Sequence, residues 1–224
     1  MRESSRTFEI GTASIVALKV YGELTLRHGD RPEVRVSGDA DLVDRAWAEI
    51  RGDRLELGLG RDVVERIVSG FAMLGNRPLR FEVVLPEIRR IEVAGRGRLN
   101  VQGVRGPELE LRVAGLADGS LLDLEVDRFS VDVAGRAELR ATGRVPRQEV
   151  QVSGSAELDL AELEGETAEI HVSGHGEVRA RVRDRLKVRI TGYGHVAYEG
   201  DPTVDQRVSG GGSVHRRERP AQNG

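Results

Sequence analysis

The sequence predicts an all-β fold: a right-handed single-stranded parallel β-helix, or β-solenoid, of about 18–20 residues per coil, with one short amphipathic helix. Three observations carry this. A seven-residue pattern, Val152-Ser153-Gly154-Ser155-Ala156-Glu157-Leu158, recurs at residues 93–99, 133–139, 172–178, 190–196 and 208–214. Val113-Ala114-Gly115-Leu116-Ala117 opens a further copy, whose next aliphatic, Leu121, reads as pushed two places along. The glycines of this pattern, Gly95, Gly115, Gly135, Gly154, Gly174, Gly192 and Gly210, follow one another at 20, 20, 19, 20, 18 and 18 residues, a period that marks a solenoid. Each offset from those glycines also keeps its character. Two before stand Val93, Val113, Val133, Val152, Val172, Ile190 and Val208; two after stand Gly97, Ala117, Ala137, Ala156, Gly176, Gly194 and Gly212. Four before stand Ile91, Leu111, Val131, Val150, Ile170 and Val188, and finally Gln206. This is period-two alternation running into a glycine corner, then a second short strand.

Stacking such coils places identical offsets above one another at about 4.7–4.9 Å. The β-branched residues then form an internal ladder. The glycines form a tight edge where a Cβ would clash or need a disfavoured φ. The right hand follows from the strand–crossover–parallel-strand rule, and the strict hexapeptide period of left-handed solenoids is absent. Outward offsets are polar. Three before the glycines run Glu92, Arg112, Asp132, Gln151, His171, Arg189 and Arg207. The first three alternate in sign and suit cross-coil pairs worth a few tenths of a kcal/mol each.

Taken in order, residues 1–6 read as a tail and 7–215 as one solenoid domain, strand-rich over 7–88 and regular over 89–215. Strands are expected around Phe8–Ile10, Val16–Val20 and Leu24–Leu26, the last before a turn at Arg27–Pro32. Val34 to Leu42 matches the repeat as a degenerate eighth copy. Leu42 to Ile50 fits a short helix or an irregular strand, and Arg54 to Leu59 alternates as a strand. Residues 61–74 depart from the strand pattern. Val64, Ile67, Val68, Phe71 and Leu74 fall at helical spacing, opposite Asp62, Glu65 and Arg66. This amphipathic helix is a candidate interaction surface. It caps the solenoid, contacts a partner or second copy, or docks on a membrane surface. Phe81 to Leu85 is a strand stopped by Pro86, and residues 216–224 read as a disordered tail.

Composition bounds the function. Apolar residues make up 38% and aromatics 4%, so the core is built from Val, Leu and Ile. Charged residues reach 32% yet net charge is only −3, which excludes the basic face of a nucleic-acid binder. Without cysteine there is no disulfide framework or thiol chemistry. No secretory signal is visible and no apolar run would span a membrane. As it stands, the chain reads as cytoplasmic.

The serial V-S-G-x-[GA]-x-V pattern and the closing stretch Ile190-Thr191-Gly192-Tyr193-Gly194-His195-Val196-Ala197-Tyr198-Glu199-Gly200-Asp201-Pro202 resemble the bacterial autotransporter-adhesin head GIN domain family over roughly residues 7–215. The resemblance implies a β-helical fold, export to the periplasm or cell surface, and no catalytic residues. The chain departs from the family in lacking a signal peptide, in carrying the 61–74 segment and in replacing many motif serines by Ala.

Candidate chemistry is weighed against plain structure. Asp118, Glu138, Glu157 and Glu177 stand three after successive glycines, a ladder suited to Ca²⁺ or polysaccharide cleavage, but equally a solvated edge with Arg140 and Arg179 as counter-ions. The Ca²⁺-binding nonapeptide is absent. His171, His175 and His195 stand at different offsets, unlike a zinc set on one face. The Gly-x-Gly corners lack the following helix that would cradle phosphate. Tyr193 and Tyr198 suit stacking on sugars, or rim packing. No catalytic residue, metal or cofactor is assigned. The expected function is a non-enzymatic binding or scaffold module with a protein or glycan ligand. The alternatives are a self-assembling solenoid, hence a homo-oligomer, and a polysaccharide-acting β-helix enzyme.

Overall fold

The computed structural model describes residues 3–60 and 78–218. The N-terminal part comprises β1 (Glu3–Glu9), β2 (Ile15–Leu18), β3 (Gly22–His28), β4 (Glu33–Asp39), α1 (Ala40–Arg45), β5 (Ala46–Arg51), β6 (Arg54–Leu59) and β7 (Leu79–Leu85). The repeats supply β8 (Arg90–Val93), β9 (Arg96–Gln102), β10 (Arg105–Val113), β11 (Leu116–Val133), β12 (Arg136–Arg144), β13 (Arg147–Val152), β14 (Ser155–Val172), β15 (His175–Ile190), β16 (Tyr193–Glu199), β17 (Thr203–Val208) and β18 (Gly211–Arg216). The expected β-solenoid is what forms. Its first sheet stacks the strands that precede the corner glycines: β8, β10, the second half of β11, β13, the second halves of β14 and β15, and β17. Its second sheet stacks those that follow: β9, the first half of β11, β12, the first halves of β14 and β15, β16 and β18. All these pairings are parallel, and the registers place each repeat offset on its equivalent.

The corner continues the hydrogen bonding between coils that the two sheets begin. The Val133 carbonyl accepts from Ser153 N at 2.9 Å and from Gly154 N at 3.0 Å, and the Gly135 carbonyl accepts from Ser155 N at 2.9 Å. The same set repeats one coil on, with Val152 receiving Ser173 N and Gly174 N, and Gly154 receiving His175 N. A Cβ on Gly154 would overlap the Gly135 carbonyl oxygen, and one on Gly174 would overlap that of Gly154. Close backbone approach is thus the reason for glycine. The alternative reason, a disfavoured φ, does not apply, since none of these corners has positive φ. The small residues two places on point inward: a Cβ on Gly176 would sit 3.0 Å from a Val172 methyl, tight but yielding, and Ala137 and Ala156 are buried at the equivalent positions.

The valine ladder is buried. Val93, Val113, Val133, Val152, Val172 and Ile190 are all buried, as are the residues two before them from Ile91 to Val188. The copy at Gly115 departs from expectation in one respect. Leu121 is not displaced: it pairs in register with Val101 and Ala141. The slot filled by Leu99 and Leu139 in neighbouring coils holds Gly119, at φ +140°.

The N-terminal part does not follow chain order. β2 pairs parallel with both β6 and β8, and β3 with both β7 and β9. Residues 15–28 therefore form an inner coil, and the later strands β6 and β7 stack outside it. Beyond them the ladder turns antiparallel: β5 on β6, β4 on β7, and β1 on β4. This corrects the reading of Val34 to Leu42 as an eighth coil. β4 is an antiparallel edge element, and Gly38 there is at φ +148° rather than at a corner. The one described helix is α1. Asp39 caps it by accepting from Asp41 N at 3.1 Å, and Leu42 and Val43 bury its inner face. Among the described residues, β1, β4, α1 and β5 close this end. The helix expected at 61–74 lies outside the described residues. At the opposite end, Val204 and Val214 are half-buried and Val208 is exposed.

Charge pairing along the first sheet runs differently from the expected Glu92–Arg112–Asp132 alternation. Those residues are in register, but Arg112 donates to Glu110 at 2.5 Å within its own strand, Arg90 reaches Glu110 at 2.5 Å, and Arg54 takes Glu92. At the N-terminal end Glu56 is buried and bonded by Lys19 Nζ at 2.7 Å, with Arg54 at 3.2 Å. The Lys19 hydrogen bond, against the cost of burial and helped by the nearby cations, holds the Glu56 carboxyl below its ordinary value of 4.5.

The corner geometry sets an expected cost. Gly154→Ala should destabilise by more than about 3 kcal/mol, because backbone of two coils must part. Gly11→Ala, whose Cβ would meet only an Ile50 methyl at 3.9 Å, should change stability by less than about 0.5 kcal/mol. Equal losses in denaturant melts contradict the corner. For Glu56 the sign follows from its lowered pKa. The ionised pair stabilises the fold above pH 4.5 and is lost as pH falls through the lowered value. Glu56→Gln should therefore melt lower than the native chain at pH 7, and the gap should shrink below pH 4.5; a gap independent of pH contradicts the pairing.

Candidate functional site

Strand alternation in the second sheet sends two rows of side chains outward. One row stands one residue after each glycine: Arg96, Leu116, Arg136, Ser155, His175, Tyr193 and Gly211. The other stands three after: Arg98, Asp118, Glu138, Glu157, Glu177, His195 and Ser213. The residues between the rows, Ala137, Ala156, Gly176 and Gly194, point inward, so no side chain separates the rows on the outer face. Over the later coils the rows wall a groove of about 510 Å³ that runs along the solenoid axis, from Arg136 and Glu138 to Tyr193 and His195.

Tyr193 is the conspicuous side chain of this groove. It is 66% exposed, in a chain with few aromatics. One side of its ring stacks on His175, with centroids 5.3 Å apart and planes 15° from parallel. Its next neighbour in the row is Gly211, and a Cβ there would meet the ring at 2.7 Å. Gly211 has no side chain to cover the ring's other side. His195 lies beside it, its Nδ1 2.9 Å from Ser213 Oγ. Tyr198, the other tyrosine considered for sugar stacking, is half-buried and packs on the core.

The acidic ladder is real, since Asp118, Glu138, Glu157 and Glu177 align in register. Its counter-ions differ from expectation. Arg98 holds Asp118 at 3.0 Å and Arg179 holds Glu177 at 3.0 Å, but Arg140 turns away to Glu162 at 2.7 Å. Glu138 and Glu157 are left without a hydrogen-bond or ion-pair partner among the described residues. Two like charges one coil apart oppose the stability of the strands that carry them. Along the groove, Arg136 is the arginine of the facing row.

In two other concavities most of the charged side chains lining the walls are paired across the coils. One of about 340 Å³ lies between the sheets, where Arg181 pairs with Glu164 and Arg183 with Glu166. One of about 440 Å³ lies on the first sheet, where Arg128 takes Glu149 and Lys187 takes Glu169. The Lys187 hydrogen bond holds the Glu169 carboxyl below its ordinary value. These charges serve the coils.

The corner glycines come together as one column at the edge between the sheets, a structural spine. His175 and His195 share the groove, whereas His171 is on the first sheet. No group of three or more His, Asp or Glu among the described residues is placed to hold a metal. Val64, Ile67, Val68, Phe71 and Leu74, the expected interaction surface, lie outside the described residues. The groove goes beyond what the sequence reading expects. Its signal is the offset one after the glycine, where Arg, Ser, His and Tyr succeed one another.

No helix among the described residues is long and apolar enough to cross a membrane. Comparison with curated proteins found no match. Among solved structures, the chain is similar to a "putative adhesin" from Bacteroides fragilis NCTC 9343 (13% identity, TM-score 0.85, 96% of this chain and 97% of that one). It is also similar to a "Putative lipid binding protein" from Parabacteroides distasonis ATCC 8503 (19% identity, TM-score 0.72, 96% and 97%). A "putative adhesin" from the same organism shares the fold as well (16% identity, TM-score 0.64, 96% and 97%). At these identities the likeness is one of fold. The family described as "Putative auto-transporter adhesin, head GIN domain" matches residues 15–202, and the chain belongs to that family.

Proposed function

We propose that this protein is a non-enzymatic, adhesin-like binding module of the bacterial envelope, which captures its ligand along the axial groove of the second sheet. The observation that carries the reading is the pairing of an open, pre-stacked aromatic with free carboxylates. Tyr193 is held in place by His175, so little side-chain freedom is lost when a ligand covers it. Glu138 and Glu157 supply acceptors that no internal partner among the described residues has claimed. A rigid parallel ladder keeps both features at fixed spacing, which suits recognition by positioned groups.

Catalysis is disfavoured by the same geometry. The groove is shallow and its acids are exposed, whereas a working acid is tuned by burial or by a neighbour. The hydroxyl–imidazole pair of Ser213 with His195 has no carboxylate orienting the ring among the described residues, and a nucleophile needs that third group. Self-assembly through the ends is the second reading, supported by the exposure of Val208 on the last coil.

The test is capture of intact bacterial cells and of an immobilised glycan panel. Wild type should bind, and Tyr193→Ala should weaken binding about tenfold, the loss of one good stacking contact of about 1.4 kcal/mol. Gln151→Ala, on the first sheet, should bind as wild type. Wild-type binding by Tyr193→Ala, or release of reducing sugar ends that Glu157→Gln abolishes, contradicts the proposal.

A further inference from the structure

The rows of the groove also bear on which ligand it takes. We infer that it binds a linear, non-anionic saccharide, neutral or amino-bearing, laid along the solenoid axis. This inference rests on the groove reading above and narrows it to a ligand class.

Three features point to this chemistry. The open side of the Tyr193 ring offers an apolar, electron-rich plane. The C–H face of a pyranose ring packs on such a plane, as cations do. Two and three coils along the groove from it, at about 4.8 Å per coil, Glu157 and Glu138 offer carboxylate oxygens that only accept. A polyol presents hydroxyl donors in adjacent pairs, and hydrogen bonds to a charged acceptor are the stronger kind. The acids also repeat with the coil, at about 4.8 Å, in register from Glu138 through Glu157 to Glu177. A repeating ligand meets the same acceptor at each step, whereas a compact one uses a single step.

Charge sets the exclusion. Glu138 and Glu157 are free and Glu177 shares Arg179, while Arg136 is the one cation of the facing row along this stretch. A uronate or sialate laid here brings its own carboxylate within one coil spacing of two others. An amino group brings the opposite sign, which pairs with a carboxylate or sits over the phenol ring. The groove therefore discriminates by repulsion as well as by contact.

Calorimetric titration of the full chain with three tetrasaccharides tests this: N-acetylglucosamine oligomer as the neutral probe, glucosamine oligomer as the amino probe, and galacturonic acid oligomer as the anionic probe. The neutral and amino probes should bind, the uronate at least tenfold more weakly, and added salt should weaken the amino probe more than the neutral one. Glu138→Gln combined with Glu157→Gln should shrink the gap between neutral and anionic probes. Both are surface changes that leave the melting temperature as it is or raise it. Uronate binding as tight as neutral binding overturns the inference, as does discrimination that survives the double variant. If no probe binds while Tyr193→Ala still reduces cell capture, the ligand class is wrong and the groove reading stands. If Tyr193→Ala changes nothing in either assay, both fail.

Discussion

The fold depends on a carbonyl that serves two donors. At each corner the oxygen of the β-branched residue two before the glycine accepts from the next coil's corner residue and from its glycine, as Val133 does from Ser153 and Gly154. This double acceptance draws two coils so close that the glycine has no room for a Cβ. The requirement is steric and shared between coils, so it transmits along the whole column. Each glycine is needed by its own carbonyl partners and by the coil above. Inward Val and outward polar residues then follow from the two-residue period, and the buried valine ladder adds hydrophobic burial that local hydrogen bonds alone do not supply.

The same constraint makes the groove. With the corner fixed, the residue one after each glycine points outward at the sheet margin, and the residue three after it runs in a parallel row. The residues between them point inward against the valine ladder, and that leaves the space between the rows unfilled on the outer face. A groove along the axis is thus a by-product of the fold. The composition of its rows is not dictated by folding, because exposed positions tolerate many residues. Arg136, Ser155, His175 and Tyr193 differ from coil to coil where the inward positions do not. The stack of Tyr193 on His175 and the unpaired Glu138 and Glu157 are choices at positions the core leaves free.

Legibility in the sequence follows the same division. Register, corner column and buried ladder are readable because each depends on offsets that repeat. What lacks a repeat misleads. Val34 to Leu42 mimics the motif, yet antiparallel pairing with β7 decides its place, and nothing in a single stretch announces the direction of its partner. The insertion of residues 15–28 between later strands is invisible for the same reason. Gln148 shows the limit within the regular part. It occupies an inward slot that neighbouring coils fill with Phe129 and Ala168, is buried, and donates to the Leu163 carbonyl at 3.0 Å. Its partner lies in the bend between the sheets, where the repeat is irregular. Arg140 is a further case: adjacency in sequence points it at the acidic ladder, yet long side chains on a sheet reach several partners, and the choice of Glu162 is made in three dimensions.

The central claim is that backbone contacts, running unbroken from the strands through the corners, and not side-chain pairs, join one coil to the next. Native-state hydrogen exchange at the corner amides tests it most directly. The amides of Gly135, Ser153, Gly154, Ser173 and Gly174 should exchange only through global unfolding, with the same free energy as the buried strand centres such as Val152. Exchange of these corner amides at loop-like rates, while the strand centres remain protected, would contradict the account.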